Sequence, residues 1–303
     1  MKHLRYALIA FGLLFASQAE AATCFWVGGT GTWSTSNTAS WASATGGTAG
    51  SCAATGGIPK QSADTATFDG SSGGGTVTVD TTINGVTLTQ ITMGAFTGTL
   101  DFSVNNPSMT MQTLSGTGSG ARTLKMGSGV FTLTSATSPL NFTTTTGLTL
   151  NAGTSTLAIN GATTVAAIRT IIPGAVTWAT ITISDPGNSG AYTDITSAAG
   201  TITTLNLTAP LVLRLGVPFT ITNAINWAGT AYNNSMSIFN AVGASTNTIT
   251  LSSAGGTINW AALAGVHFAT NTATATNSFN LQGNANVTIT GPSGGGGGHI
   301  IGG

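Results

Sequence analysis

The chain contains 303 residues, of which 41% are apolar and only 5% are Asp, Glu, Lys or Arg, against a charged share of about 25% in soluble domains. The formal net charge is zero, so the chain lacks the basic stripe that attracts nucleic acid and the basic cluster that anchors proteins to membranes. Gly (43 residues) and Thr (58 residues) make up about a third of the chain, a composition that disfavours helical folds. We therefore expect an almost entirely β protein without a nucleic-acid partner.

Residues 1–21 have the pattern of a secretory signal peptide. Lys2 and Arg5 supply a positively charged start, residues 7–16 form an apolar stretch, and Ala19-Glu20-Ala21 is a cleavage site of the A-x-A type. The apolar stretch is too short to span a bilayer, and no later segment is long enough. We predict an exported protein without a transmembrane segment in the mature chain, located at a cell surface or outside the cell, with a virion surface as the alternative.

The chain contains two cysteines, Cys24 and Cys52, and both lie near the start of the predicted mature chain. No His, Asp or Glu lies between them, so this segment does not offer the further ligands that a metal site needs. In an oxidising compartment such a pair most simply forms a disulfide, worth about 3 kcal/mol in the chain-entropy model. The sequence predicts this disulfide, and it predicts no metal or other cofactor.

A segment rich in Trp and Gly surrounds these cysteines, and Pro59 and a D-T-A-T-F sequence follow it. This arrangement resembles the entry segment of β-solenoid surface proteins, such as autotransporter-like passenger domains and some phage tail-fibre proteins. The positions that carry the resemblance are Trp26, Gly28, Gly29, Gly31, Trp33, Asn37, Trp41, Pro59, Asp64, Ala66 and Phe68. The resemblance implies that residues 22–64 form a cap that shields the open end of a stack of coils.

The three tryptophans of this segment, Trp26, Trp33 and Trp41, have two interpretations. Trp is highly buried on average, and a bulky aromatic cluster is suited to covering the apolar interior and unpaired backbone at the end of a solenoid. The alternative is that these side chains stack on the sugar rings of a glycan. We carry both interpretations forward.

From Thr76 onward, apolar and polar residues alternate in short runs that Gly, Asn, Ser and Pro separate at intervals of about 8–12 residues. Runs such as Phe131-x-Leu133 and Ile181-x-Ile183 place apolar side chains on one face of a strand. Thr-x-Thr pairs recur with a spacing that suggests a unit of about 21 residues made from two strands. We predict a single-chain β-solenoid (β-helix) over residues 65–290, with tandem β-sandwiches as the alternative.

The last segment, residues 291–303, is rich in Gly and reads as a flexible tail. His299, Ile300 and Ile301 lie near its tip. These three residues are candidates for a peptide that docks on another subunit, and a disordered end is the alternative.

A search for catalytic groups yields one candidate pair. Asp185 and Asp194 are close enough in sequence to meet across a turn and to act as acid and nucleophile of a glycosidase, together with Trp178 or Trp227. A turn role for Asp185, which precedes Pro and Gly, is the competing interpretation. A polysaccharide-degrading solenoid should also cluster its charged residues. The basic residues of the mature chain are instead scattered, at Lys60, Arg122, Lys125, Arg169 and Arg214.

These observations favour an exported, non-catalytic structural or adhesive protein. Because its surface lacks the charge that keeps proteins apart, we expect it to self-associate, and surface glycans are a second class of partner. The alternatives are a phage tail-fibre component and a polysaccharide-degrading enzyme. An ice-binding solenoid would need a flat, regular Thr array, and the drifting spacing of the Thr pairs disfavours it.

Overall fold

The structure is a computed structural model. It describes residues 21–162, 167–184, 191–196, 200–208, 211–228, 236–240, 248–251, 257–281 and 283–291. The predicted signal peptide and the predicted Gly-rich tail therefore lie outside the described residues, apart from Ala21 and Gly291. The docking candidates His299, Ile300 and Ile301 lie outside them as well.

The described residues form an all-β structure with two short 3-10 turns, Gly70–Ser72 and Thr81–Ile83. The first strands are β1 (Thr23–Trp26), β2 (Gly31–Trp33), β3 (Trp41–Ala42), β4 (Thr65–Phe68), β5 (Thr76–Val79), β6 (Thr87–Met93), β7 (Thr99–Asp101), β8 (Met109–Ser115), β9 (Arg122–Lys125), β10 (Val130–Leu133), β11 (Leu140–Asn141), β12 (Leu148–Asn151) and β13 (Thr156–Ile159). The strands that follow are β14 (Ile168–Ile172), β15 (Thr177–Ile183), β16 (Tyr192–Ile195), β17 (Thr201–Thr208), β18 (Leu211–Leu215), β19 (Phe219–Ala228), β20 (Met236–Asn240), β21 (Thr248–Leu251), β22 (Thr257–Asn259), β23 (Ala261–Ala264), β24 (His267–Ala269), β25 (Ala273–Thr276), β26 (Phe279–Asn280) and β27 (Val287–Ile289). Within the described ranges, no helix is long and apolar enough to cross a membrane.

Parallel pairing dominates the two sheets of the structure. One sheet contains 22 strands and the other contains β2, β5, β7, β9 and β12. Of the strand pairs found among the described residues, only β1 with β3 is antiparallel. Immunoglobulin-like sandwiches consist of antiparallel strands, so the pairing does not fit the sandwich alternative. A long parallel sheet is compatible with the predicted β-solenoid.

The parallel pairs fall into three series that the chain visits in turn. The first series begins with β1, β4 and the second half of β6. The second series begins with β2, β5 and β7. The third series begins with the first half of β6, the first half of β8 and β10. Each turn of the chain therefore contributes three strands, whereas the sequence suggested two.

The separation between paired residues varies along the chain. Thr23 on β1 pairs with Thr65, 42 positions away. From β4 to β13 the paired residues lie 22 to 26 positions apart, as in Met109 with Phe131 and Leu114 with Leu140. Near the end, Ala275 pairs with Ile289, only 14 positions away. The loops between the strands absorb most of these differences in length, and the pairing of β17 with β19 absorbs one residue in a shift of register after Ile202. A fixed repeat of about 21 residues was therefore a poor description of the chain.

The core lies between the three series, and its apolar side chains stack in register. In the third series an inward column runs through ten successive strands: Leu88, Met111, Leu133, Ile159, Ile183, Leu207, Trp227, Ile258, Ala275 and Ile289. The first nine of these side chains are at most 3% exposed. Their burial removes apolar surface from water, worth about 25 cal/mol per Å², and it explains the alternating pattern of the sequence.

Glycine allows close approach of the backbone where the chain turns between strands. Gly127 and Gly153 follow β9 and β12, and both have a positive φ, of 68° and 60°. A side chain on Gly153 would collide with the carbonyl group of Gly127 in the preceding turn. The amide of Thr154 donates a 2.8 Å hydrogen bond to that same carbonyl. Successive turns are thus held together at this corner by backbone alone.

A buried arginine joins another pair of corners. Arg122 on β9 is 2% exposed and shares the inward face of Leu124. Its Nη1 donates to the carbonyl oxygens of Gly120 and Thr146 at 3.1 and 3.3 Å. Its Nη2 donates to those of Gly116 and Thr144, at 3.1 and 2.8 Å. These carbonyls belong to the loops before β9 and before β12, so one guanidinium bridges equivalent loops of successive turns.

Arg169 on β14 makes the same kind of bridge on another corner. It is fully buried, its Nε donates to Thr193 Oγ1 at 3.1 Å, and its Nη1 donates to the carbonyl of Gly161 at 3.0 Å. Its Nη2 donates to the carbonyl of Ser184. Gly161 and Ser184 lie in the loops that follow β13 and β15, which are paired strands. The two arginines that sequence reasoning treated as scattered charges are therefore parts of the core.

The predicted disulfide between Cys24 and Cys52 is confirmed. It ties the loop that follows β3 to β1, which lies between β3 and β4 in the sheet. Because β1 and β2 pair in parallel with β4 and β5, the residues before 65 belong to the same strand series as those after it.

Replacing both Cys24 and Cys52 by Ala should lower the free energy of unfolding by about 3 kcal/mol, because the unfolded chain regains the entropy of the closed loop. Urea unfolding of the two forms measures the loss. Intact-mass analysis after alkylation provides the control, since the native protein should take up two alkyl groups only after reduction. Two reactive thiols before reduction would contradict the prediction.

Replacing Arg122 by Met should lower the free energy of unfolding by about 2–4 kcal/mol, because four loop carbonyls lose their common donor. The matched control is Lys125→Met on the same strand, which removes a partly exposed ion pair and should cost about 1 kcal/mol or less. Urea unfolding of both variants makes the comparison. Equal losses would show that the Arg122 bridge does not stabilise the stack.

Candidate functional site

The three tryptophans of the entry segment form one buried cluster. Trp26, Trp33 and Trp41 are each 0% exposed. The ring centroid of Trp41 lies 5.2 Å from that of Trp26 and 5.3 Å from that of Trp33, both in edge-to-face geometry. Phe68 on β4 lies 5.7 Å from Trp41 and 5.6 Å from Phe96, so the cluster continues into the core. With no exposed ring face, these indoles pack, and none of them is placed to stack on a sugar.

A sixth tryptophan, Trp260, has a setting unlike that of the other five. Trp260 follows β22 and has a φ of 53°, which is an outlier for a bulky side chain. It is half-buried, whereas Trp178 and Trp227 are at most 1% exposed. Its register neighbour in the next turn is Asn277, with a φ of 51°. This corner therefore requires a left-handed residue, and Trp260 meets that requirement at a cost in backbone strain.

The proposed glycosidase pair is not brought together in the described part of the structure. Asp185 lies outside the described residues. Asp194 on β16 is the register partner of Arg214 on β18. Arg214 Nη2 donates to Asp194 Oδ2 at 2.9 Å, and Arg214 Nε lies 2.8 Å from Oδ1. The guanidinium also covers the ring of Tyr192, 4.1 Å from its centroid.

Burial raises the pKa of Asp194, and the charge of Arg214 opposes that rise only in part. The carboxylate nevertheless accepts a hydrogen bond from Arg214 on Oδ2 and is in ion-pair contact with it on Oδ1, an arrangement typical of a structural ion pair. Trp178 and Trp227, the aromatic partners considered for such a site, are buried in the core. The described residues also contain no group of three or more His, Cys, Asp or Glu placed to hold a metal ion.

A second ion pair, like the first, is formed between register partners on strands one turn apart. Asp101 on β7 is the register partner of Lys125 on β9, and Lys125 Nζ lies 3.1 Å from Asp101 Oδ2. Asp101 Oδ1 accepts hydrogen bonds from the backbone N–H and the hydroxyl of Ser103, at 2.8 and 2.6 Å. Burial opposes ionisation of Asp101, but the hydrogen bonds from Ser103 and Lys125 outweigh it and lower its pKa. Both ion pairs thus join strands one turn apart.

The most regular surface feature is a column of small neutral side chains on the outer face of the third series, here named the threonine column. Its side chains are those of Thr87, Thr110, Thr132, Ala158, Thr182, Asn206, Asn226, Thr274 and Thr288, each paired in register with the next, and Thr257 holds the register position between Asn226 and Thr274. At about 4.8 Å per strand the column is about 43 Å long. It contains no charged residue.

Two further sets of positions flank the threonine column. On one side lie the register partners Val130, Thr156, Thr180, Thr204 and Ala224. On the other side lie Thr208, Ala228, Asn259 and Thr276. The drifting Thr spacing in the sequence therefore does not interrupt the array, because the extra residues lie in loops. Sequence reasoning identified the outward Thr positions but missed their register.

An open cavity of about 610 Å³ lies at the edge of the first turns. Its lining residues are Lys60, Gln61, Ser62, Asn84, Gly85, Val86 and Thr87. The lining contains one titratable side chain, that of Lys60, and no carboxylate. A pair of groups suited to acid–base chemistry is therefore not present in this cavity.

Comparison of the chain with protein-family models, with curated proteins and with solved structures finds no match. Functional inference therefore depends on the chain's own residues.

Stability should depend on pH through Asp101. Because its pKa is lowered on folding, its contribution is present above the ordinary Asp pKa of about 3.9 and is lost as the pH falls through the lower folded value. In Asp101→Asn the fall in unfolding free energy between about pH 5 and pH 2 should be smaller by up to about 1 kcal/mol. Urea unfolding across this range measures it, with Thr99→Asn on the same strand as the control. An identical slope in Asp101→Asn and the wild type would contradict the prediction.

Proposed function

We propose that this protein is an exported, non-catalytic β-solenoid with a structural or adhesive role at a bacterial cell surface or in an extracellular filament. The observation that carries the proposal is the in-register stack of parallel strands, with one buried apolar column and one uncharged outer column along ten strands of the same series. Such a stack is a rigid spacer with a repetitive surface, which is the property that structural and adhesive proteins need.

The contacts of the charged residues support a non-catalytic role. Arg122 and Arg169 hold loops inside the core, while Asp101 with Lys125 and Asp194 with Arg214 join neighbouring turns. Each of these groups has a structural task. The enzyme alternative depends on Asp185 and Asp194, of which only Asp194 is described, and there it is engaged by Arg214.

The adhesive part of the proposal assigns the glycan-contacting aromatic to Trp260 instead of the entry-segment tryptophans. Trp260 is half-buried and strained, and strained residues cluster at ligand-binding positions. Asn259, which precedes it, accepts hydrogen bonds from Thr276 Oγ1 and Asn277 Nδ2 at 3.4 and 3.0 Å. An indole has an apolar body and an N–H donor, so Trp260 offers a sugar both an apolar face and a hydrogen bond.

Location is the first test of the proposed function. Immunogold labelling of intact cells and of purified virions should mark the cell surface or extracellular filaments. Labelling of virions alone would favour the phage tail-fibre alternative, which the resemblance of the entry segment suggests. Protein retained in the cytoplasm would contradict export.

Binding without turnover is the second test. On a glycan array, Trp260→Ala should reduce binding about fivefold, since stacking contributes on the order of 1 kcal/mol, while the buried control Trp178→Phe should leave it unchanged. Incubation with polysaccharides should release no reducing ends. Release that disappears in Asp194→Asn would establish the enzyme alternative instead.

A further inference from the structure

We propose that the threonine column is a self-association surface, on which the same column of a second copy of this chain packs face to face. The inference rests on the structural role in the proposed function and specifies a surface through which copies of the chain associate. Three observations support it: the charge of the surface, the use of its polar groups, and its size.

The positions of this surface are neutral, and Lys60, which lines a cavity together with Thr87, is a charged neighbour at its first position. None of the ten positions of the column, and none of the nine flanking positions, carries a charge. Asp101 with Lys125 lies in the second series, and Asp194 with Arg214 lies in the first. Two copies can therefore meet on this face without like-charge repulsion and without the cost of desolvating an ion, which is several kcal/mol for each buried charge.

Some polar groups of the column are already paired within the chain. Asn226 Nδ2 donates to Asn206 Oδ1 at 2.8 Å, and Asn206 Nδ2 is 3.3 Å from Thr182 Oγ1. The other positions add the methyl and hydroxyl groups of Thr, the methyl of Ala158 and the flanking Val130, which is 43% exposed. A surface of small neutral groups, with amides paired along the column, suits a flat partner that is also uncharged. The column itself is such a partner.

The area agrees with a reversible dimer. A column about 43 Å long, with flanking positions about 6.6 Å to either side, covers roughly 600 Å² on each copy. Two copies would bury roughly 1,200 Å², at the lower end of the range of specific interfaces, about 1,200–2,000 Å². Sheets pack face to face about 10 Å apart, which leaves room for interdigitating Thr and Asn side chains.

Sedimentation velocity of the exported protein between about 1 and 100 µM tests the proposal. The wild type should form dimers as its concentration rises. Thr182→Lys, at the centre of the column, should raise the concentration needed at least about tenfold, because two ammonium groups would be buried together. The matched control is Thr149→Lys on β12, an exposed position of the second series, which should behave as the wild type. Val130→Lys should weaken the dimer as Thr182→Lys does.

Circular dichroism and urea midpoints establish that the three variants are folded. A wild type that stays monomeric at about 100 µM, or equal weakening by Thr149→Lys and Thr182→Lys, would overturn the proposal. It would also be overturned if a monomeric wild type bound a neutral polysaccharide or ice crystals and Thr182→Lys abolished that binding. Immunogold labelling of Thr182→Lys cells separates this inference from the proposed function, because export and surface location do not depend on the dimer.

Discussion

Parallel pairing in register, between residues one turn apart along the chain, is the constraint on which the rest of this structure depends. Each strand position has a counterpart in the turns before and after it, so every position belongs to a column. The buried column from Leu88 to Ile289 and the threonine column alternate on the same strands. A slip of one residue would exchange them and expose the core. Differences in chain length are therefore placed mainly in the loops, and one extra residue of β19 lies in a bulge between Ile221 and Ala224.

The corner loops must bring the backbones of successive turns close together, and they contain carbonyl groups without a strand partner. Their composition meets both demands. Glycines such as Gly127 and Gly153 let backbones of successive turns approach where a Cβ would collide. Loop carbonyls that no strand pairs with are satisfied from inside by Arg122 and Arg169. A guanidinium suits this task because it has five N–H donors in a plane and can reach several carbonyls at once.

The same constraint explains the charge pattern and links it to function. In a parallel stack, each charged residue lies about 4.8 Å from its register partner. Like charges at this spacing would repel. Both ion pairs of the structure join register partners of opposite charge. The other outer positions of the third series are neutral and mostly Thr or Asn, and Asn226 donates a hydrogen bond to Asn206 along their column. The result is an uncharged and repetitive outer face along the third series.

The sequence by itself determined the all-β class, the inward and outward positions of strands such as Phe131-x-Leu133, and the pairing of Cys24 with Cys52. The first two features depend on residues close in sequence, because alternation is visible within one strand. The third follows because a chain with two cysteines can form only one internal disulfide. Only the tertiary structure decided the three strands of each turn, the burial of Arg122 and Arg169, the strained corner at Trp260 and the unbroken threonine column. All of these depend on which residues meet one turn apart, and that register depends on loop lengths that no local pattern encodes.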